Sequence, residues 1–322
     1  MKLPRQVLAL AAMALGFIFV ATPTRAAYPE HPVKIVVGYP PGGGADTIAR
    51  LLAAKLNAAL GQPVVVENRA GADGLVAGES VAKSTPDGYT LLLVSGSHTI
   101  NPALGRKMPY DTLKDFSSIS YVAEQQLILV SRPDFPADNV PQLVTYLKAH
   151  PKEVNFGSSS TGTQLPIELF KVMSGTSFVD VPYKGTAPVV TDLLGGHIDL
   201  SIVGAATAIE YIKAGRLKAL AIGGSRRSAL FPDIPTMSES GLPGYKATAW
   251  TAVFAPAGTP SVIVERLSDE LIAITRQPDF QKSLAALGAE ATSMGPVELD
   301  RFVEADIKKW TQVVKQSGIK VE

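Results

Sequence analysis

The sequence predicts an α/β chain folded in two lobes, each built on a mixed, mostly parallel sheet. Three observations predict it. Short β-branched runs alternate with helix-period stretches along almost the whole chain. Strand after strand ends in Gly, Ser, Thr or Asn instead of bulky side chains. A chain of 322 residues, 46% hydrophobic and 18% charged, is long enough for two domains with sizeable cores.

Met1 to Ala26 stands apart from that pattern. Lys2 and Arg5 precede an unbroken apolar run, Val7 to Val20, and Thr24-Arg25-Ala26 offers a cleavage point ahead of Ala27. This predicts a secretory signal peptide. The run is shorter than the roughly 18–20 residues that a membrane-spanning helix needs. The leader holds Lys2, Arg5 and Arg25 and no acids, so the 30 Lys and Arg, less these three, face 29 Asp and Glu. A slightly acidic chain with no basic tract argues against nucleic acid or anionic membrane as a partner. There is no cysteine, which excludes disulfides, thiolate metal sites, cysteine nucleophiles and a lipoprotein anchor. The exported chain is expected to be soluble and periplasmic. His31, His98, His150 and His197 are scattered without metal-ligand spacing, so neither a metal nor a cofactor is expected.

Val33 to Val37 reads as the first strand and feeds the run Gly38-Tyr39-Pro40-Pro41-Gly42-Gly43-Gly44-Ala45-Asp46. Ile48, Leu51, Leu52, Leu56 and Leu60 then recur at helix spacing, with Asp46 as candidate cap and Gly61 at the C-cap. Pro63 to Glu67 completes a βαβ unit. A helix start leaves N–H groups unpaired and carries partial positive charge, and glycines let a ligand come close. No Lys-Ser/Thr follows the glycines and the G-x-G-x-x-G spacing is absent, so neither nucleotide fingerprint applies. An ordinary glycine-rich turn would look the same in isolation.

The pattern repeats. Glu67 to Gly74 is a strand feeding a glycine-bearing loop before the helix-like Leu75 to Lys83. Tyr89 to Val94 reads as a buried strand that ends in the hydroxyl-rich loop Ser95-Gly96-Ser97-His98-Thr99. In open α/β sheets ligands bind outside the carboxyl ends of parallel strands, so three such ends point to a binding cleft. Gln126 to Ser131 is read as the strand crossing into a second lobe. Val140 to Ala149 is a helix with Asn139 as cap, and Val154 to Gly157 leads to Ser158-Ser159-Ser160-Thr161-Gly162-Thr163 at the start of another helix. Phe178 to Pro182, His197 to Val203 and Leu217 to Ile222 continue as strands, ending at Tyr183-Lys184-Gly185-Thr186, Gly204-Ala205-Ala206 and Gly223-Gly224-Ser225. Trp250 to Pro256 reads as the strand crossing back. Val262 to Thr275, Phe280 to Leu287 and Val297 to Lys315 are helices expected to cover the first lobe in a purely structural role. The predicted divisions are 1–26 (leader), 27–130 (first lobe), 131–249 (second lobe) and 250–322 (return to the first).

The runs Gly38 to Asp46, Gly61 to Arg69, Pro86 to Leu92, Val181 to Thr186 with Asp192 to Gly196, and Ala255 to Pro260 together resemble the Bug family of extracytoplasmic solute receptors. These serve tripartite tricarboxylate transporters. The resemblance implies a periplasmic binding protein that closes like a flytrap on a small carboxylated organic molecule and delivers it to integral-membrane transporter subunits. It further implies a non-enzymatic, monomeric protein. Carried over, the gripping loops are Tyr39, Gly42, Gly43, Gly44, Ala45 and Asp46 in one lobe, and Ser158, Ser160, Thr161 and Thr163 in the other. Ser97, His98, Gly204 and Ala205 would line the cleft, and Gln164 and Tyr183 would help choose the ligand. The family often has His-Leu where this chain has Gln164-Leu165, which implies a different or less acidic ligand. Two alternatives stand beside this reading. One is a sensor for a membrane signalling partner. The other is an exported serine hydrolase using Ser97 or Ser160 with a histidine, although no G-x-S-x-G elbow is present.

Overall fold

The computed structural model describes residues 28–319, and the predicted leader lies outside them. Its first strand shows why the sequence pattern works. β1 (Val33–Val37) is covered on both faces, with Val33, Ile35 and Val37 in one core and Val36 in another. A continuous apolar run is what a strand buried on both faces requires. β1 pairs in parallel with β2 (Val64–Asn68) and β3 (Thr90–Ser95). Helix α1 (Gly44–Leu60) joins β1 to β2 and buries Ile48, Leu52, Leu56 and Leu60. Gly61 closes it in the left-handed region, φ 67°, where its N–H reaches the Asn57 carbonyl. Beyond a single 3₁₀ turn (Ala72–Gly74), α2 (Leu75–Ala82) leads to β3, and the loop expected after β3 is in fact the first turn of a short helix, α3 (Ser97–Ala103).

The longest strand, β4 (Phe116–Ser131), begins well before the expected Gln126. Residues 116–126 pair with β9 (Thr248–Pro256), which in turn pairs with β3. From Leu127 to Ser131 the same strand enters a second sheet, between β7 (Leu200–Gly204) and β8 (Lys218–Ile222). Two register shifts interrupt its pairing with β9 and bend it. The periodicity of Phe116 to Gln125 is broken by those shifts, so no simple alternation marks it as strand.

In the second sheet β7 pairs in parallel with β5 (Asn155–Ser158), and β5 with β6 (Val179–Pro182). Helices α4 (Val140–Ala149), α5 (Thr161–Ser174), α6 (Thr186–Leu194) and α7 (Ala205–Lys213) cover it. Asn139 caps α4 by accepting from the Gln142 N–H at 3.0 Å. Counted by direction, four of six strands in the first sheet (β1–β4 against β9 and β10) and four of five in the second (β5–β8 against β4) run alike.

The chain ends with α8 (Ser261–Thr275), α9 (Pro278–Ala286), an unexpected strand β10 (Ala289–Met294) antiparallel to β4, and α10 (Pro296–Ser317). Leu267 and Leu271 of α8 join the first-lobe core beneath α1. The long helix α10 departs from the expectation for this tail. Leu299 and Val303 pack into the first lobe, but Trp310 and Val313 pack into the core of the second. No helix among the described residues is long and apolar enough to cross a membrane.

Candidate functional site

Strand carboxyl ends from both sheets converge on one cavity of about 210 Å³. From the first lobe come Tyr39, Asp73, Ser95 and Ser97, and from the second Ser160, Thr161, Gly162 and Thr163. Gly96, Leu127 of β4, Thr248, Ala249 and Trp250 of β9, Ile100 of α3 and Trp310 of α10 complete its walls. A larger hollow, about 640 Å³, is lined by Phe116, Phe254, Asp300 and Glu304 among others. It holds none of the loop residues and lies off the strand ends, so the smaller cavity is the candidate site.

Tyr39 anchors the first-lobe side. Its hydroxyl lies 2.5 Å from Ser97 Oγ, and Ser95 Oγ donates to it at 2.6 Å. Burial pushes the phenol above its ordinary pKa, while the two serine hydroxyls pull the other way. Asp46 shapes the glycine loop from within. It accepts from the Gly42 N–H at 2.9 Å, Arg50 Nε at 3.0 Å and Asn68 Nδ2 at 2.8 Å. The hydrogen bond from Arg50 leads the effects that hold its carboxyl at about 2, against the opposing cost of burial. Asp46 is only 2% exposed, and the helix cap is Gly43 instead. The carboxylate therefore fixes the loop and does not face the cleft.

The second-lobe side is the start of α5. Thr163 Oγ1 accepts from the Ser159 and Ser160 N–H groups at 2.9 and 3.1 Å. The Thr163 and Gln164 N–H groups go to the Ser160 carbonyl. That leaves the Thr161 and Gly162 N–H groups without an intrahelical partner, at residues that line the cavity. Ser97, at the head of α3, lines it as well.

Several predicted residues lie elsewhere. His98 follows Ser97 in α3, but the helix turns it inward, where it is 2% exposed between Phe254 and Phe116. Neither ring nitrogen finds a partner among the described residues, and burial lowers its pKa to about 3. Gln164 donates to Asp180 at 2.8 Å, and the Tyr183 hydroxyl donates to Asp192 at 2.6 Å, so both are engaged within their own lobe. Tyr183 is pushed up to about 12 by burial and by Asp192. Ser158 and Ala205 are buried in sheet and helix packing. Gly42, Gly43, Gly44 and Ala45 do not line the cavity, nor does Gly204. The start of α1 faces β4 instead: a Cβ on Gly44 would stand 3.8 Å from Gln125 Nε2.

Asp73, Trp250 and Trp310 are cavity residues that pattern reasoning missed. Asp73 follows Gly71 in a strand-end loop and could have been found by the same rule as Ser97. Trp250 opens a strand and reads as core. Trp310 sits on a C-terminal helix with no local sign of a site. Among the described residues no cluster of three or more metal-ligating side chains occurs.

Comparison with known proteins finds relatives over nearly the whole chain. Residues 48–319 match the family described as "Tripartite tricarboxylate transporter family receptor". The chain is 39% identical over 320 residues to Protein BugT of Bordetella pertussis, covering 96% of this chain and 98% of that one. Among solved structures, a Rhodopseudomonas palustris protein with adipate superposes with a TM-score of 0.77 at 34% identity, covering 91% of this chain and 99% of its own. MatC from the same organism, with bound malate, gives 0.73 at 33%, covering 89% and 100%.

Proposed function

From the premise that this chain belongs to the tripartite tricarboxylate transporter receptor family, with the two-lobed periplasmic-binding-protein fold, we propose that it is a periplasmic receptor that captures a small carboxylated molecule between its lobes. It then delivers that molecule to integral-membrane transporter subunits. The lobes are residues 27–130 with 250–322, and 131–249, hinged on β4 and reached after removal of a leader at 1–26. The observation that carries the reading is that Ser97, at the head of α3, and the start of α5 line one cavity from opposite lobes. Backbone N–H groups and the partial positive charge at the α5 start favour a carboxylate. Tyr39, Ser97, Ser160 and Thr161 grip it, while Thr163 orders the start of α5 through its bonds to Ser159 and Ser160 and Asp46 holds the neighbouring glycine loop in shape.

The protein acts as a monomeric binder and not as an enzyme. Support comes from the serines themselves: Ser97 pairs with Tyr39, and the adjacent His98 is turned away into aromatic packing, so no serine–histidine couple forms there. Two rhodopseudomonad relatives carry adipate and malate, which is consistent with carboxylate capture.

Thermal unfolding of the purified protein against carboxylic acids, each paired with its amide, tests the reading. A ligand at 100 times its dissociation constant stabilises by about 2.7 kcal/mol. An acid that raises the melting temperature while its amide does not is the expected result. Equal shifts for acid and amide, or none for any acid, would reject it.

A further inference from the structure

The lining of the cavity is poor in charge. It contains no lysine, arginine or histidine, and its one ionisable acid, Asp73, is held by Arg106 Nη1 at 2.8 Å. The remainder is of two kinds. Ser95, Ser97, Ser160, Thr161 and Thr248 bring hydroxyls. Ile100, Leu127, Ala249 and the only two tryptophans of the chain, Trp250 and Trp310, bring apolar surface. Each indole is 3% exposed. The Trp310 N–H is taken by Asp306 at 3.0 Å. The Trp250 Nε1 lies beside Gly96 on the cavity wall, 3.7 Å from where a Cβ would stand, and has no acceptor among the described residues.

We propose, resting on the receptor reading above, that this cavity selects a compact monocarboxylate with an apolar body and rejects a second carboxylate. One carboxylate finds donors in the start of α5, the Ser97 hydroxyl and the Trp250 N–H. A second would lose its hydration against Trp310, Ile100 and Leu127 with no cation to replace it, and would approach Asp73. Burying an unpaired charge is far more costly than burying a methyl or ring edge, which such a wall favours. A cavity of about 210 Å³ has room for a six-carbon acid or a single aromatic ring.

Calorimetric titration of the purified protein with hexanoate and adipate tests this directly, because the two share six carbons and differ by one carboxylate. Benzoate against terephthalate repeats the comparison on a ring, with hexanamide and benzamide as controls. The expected result is binding of each monoacid about tenfold or more tighter than its diacid, with the amides silent. Diacids that bind as tightly as the monoacids, or more tightly, would overturn the inference while the receptor reading stands. If the amides match the acids, or no acid binds, both readings fall. Trp250→Phe keeps the ring plane and removes the N–H. It should weaken hexanoate several-fold with the monoacid preference retained, and unchanged affinity would take Trp250 out of the carboxylate seat.

Discussion

Asp306 accepts a hydrogen bond from the Trp310 indole at 3.0 Å, and the same carboxylate oxygen accepts from Thr99 Oγ1 at 2.7 Å. Asp306 is only 6% exposed. One buried carboxylate on α10 thus sets the pose of two cavity elements: the tryptophan on its own helix and the first turn of α3, two residues beyond Ser97. Its other oxygen pairs with Lys309 at 2.6 Å.

Asp306→Ala should therefore cost about 1–3 kcal/mol, because it leaves the Trp310 N–H without its acceptor, while the Thr99 hydroxyl keeps the Gly96 carbonyl at 3.0 Å. Asp306→Asn retains an acceptor and should cost less. Urea denaturation measures both losses, and tryptophan emission reports the freed indole. Equal stabilities for the alanine and asparagine variants would show that this hydrogen-bond pair is not what Asp306 contributes.

Asp46 provides a pH test. Its folded pKa, about 2, lies below the ordinary carboxylate value. Its contribution is therefore present above about pH 4 and lost as pH falls through about 2. Arg50 is half exposed, so screening trims the effect to roughly 1–2 kcal/mol. Stability measured in urea between pH 5 and pH 2 should fall more steeply for the native chain than for Asp46→Asn. Ligand affinity should also drop in Asp46→Ala, since Gly42 and Asn68 lose the group that closes the loop. Parallel pH profiles would rule out the linkage.

His98 works in the opposite chemical sense with the same sign. Its folded pKa, about 3 through burial, lies below the unfolded value near 6.5. The unfolded chain binds the extra proton between those values, so stability declines as pH falls below about 6.5, by up to about 1.4 kcal/mol per pH unit. His98→Phe keeps the aromatic contact with Phe254 and removes two nitrogens without partners. It should equal or exceed the native stability at pH 7 and lead by about 2 kcal/mol at pH 5. A native-like pH slope in that variant would mean that the imidazole is not the titrating group.

Gly288 meets Ala206 where β10 and α7 flank β4 from opposite lobes. A Cβ on Gly288 would come 2.1 Å from the Ala206 Cβ, and its φ is +66°. Gly288→Ala should cost about 1–2 kcal/mol from the backbone alone, with a further loss from the clash. Adding Ala206→Gly should recover the clash portion only. If the double variant is no more stable than Gly288→Ala, the contact between the lobes is not tight in solution. Comparing ligand affinity across the same set shows whether that contact belongs to the bound state.

Much of the molecule is legible locally. The αL glycine at position 61, the Asn139 cap and the β-branched run of β1 follow from rules that span a few residues. So do the hydroxyl-rich strand ends at Ser95 to Ser97 and Ser160 to Thr163 that line the cavity. The misses share a different character. His98 and Ser97 are neighbours in the chain, yet one faces the cavity and the other the aromatic core. A residue's direction on a helix start depends on how that helix packs, and the loop expected there had no direction to assign. β10 and the first half of β4 exist through pairing with distant partners and carry no clean alternation of their own.

The sequence by itself determined the alternating α/β plan, the family, the absence of thiol chemistry and two of the loops that line the cavity, at Ser95 to Ser97 and Ser160 to Thr163. Tertiary structure alone decided which side chains enter the cavity. Thr99 and Asp306 stand 207 residues apart in the chain, and Trp310 reaches the site only because α10 spans both lobes. Contacts across such separations arise from the packing of whole helices against sheets, and no short stretch of residues encodes them.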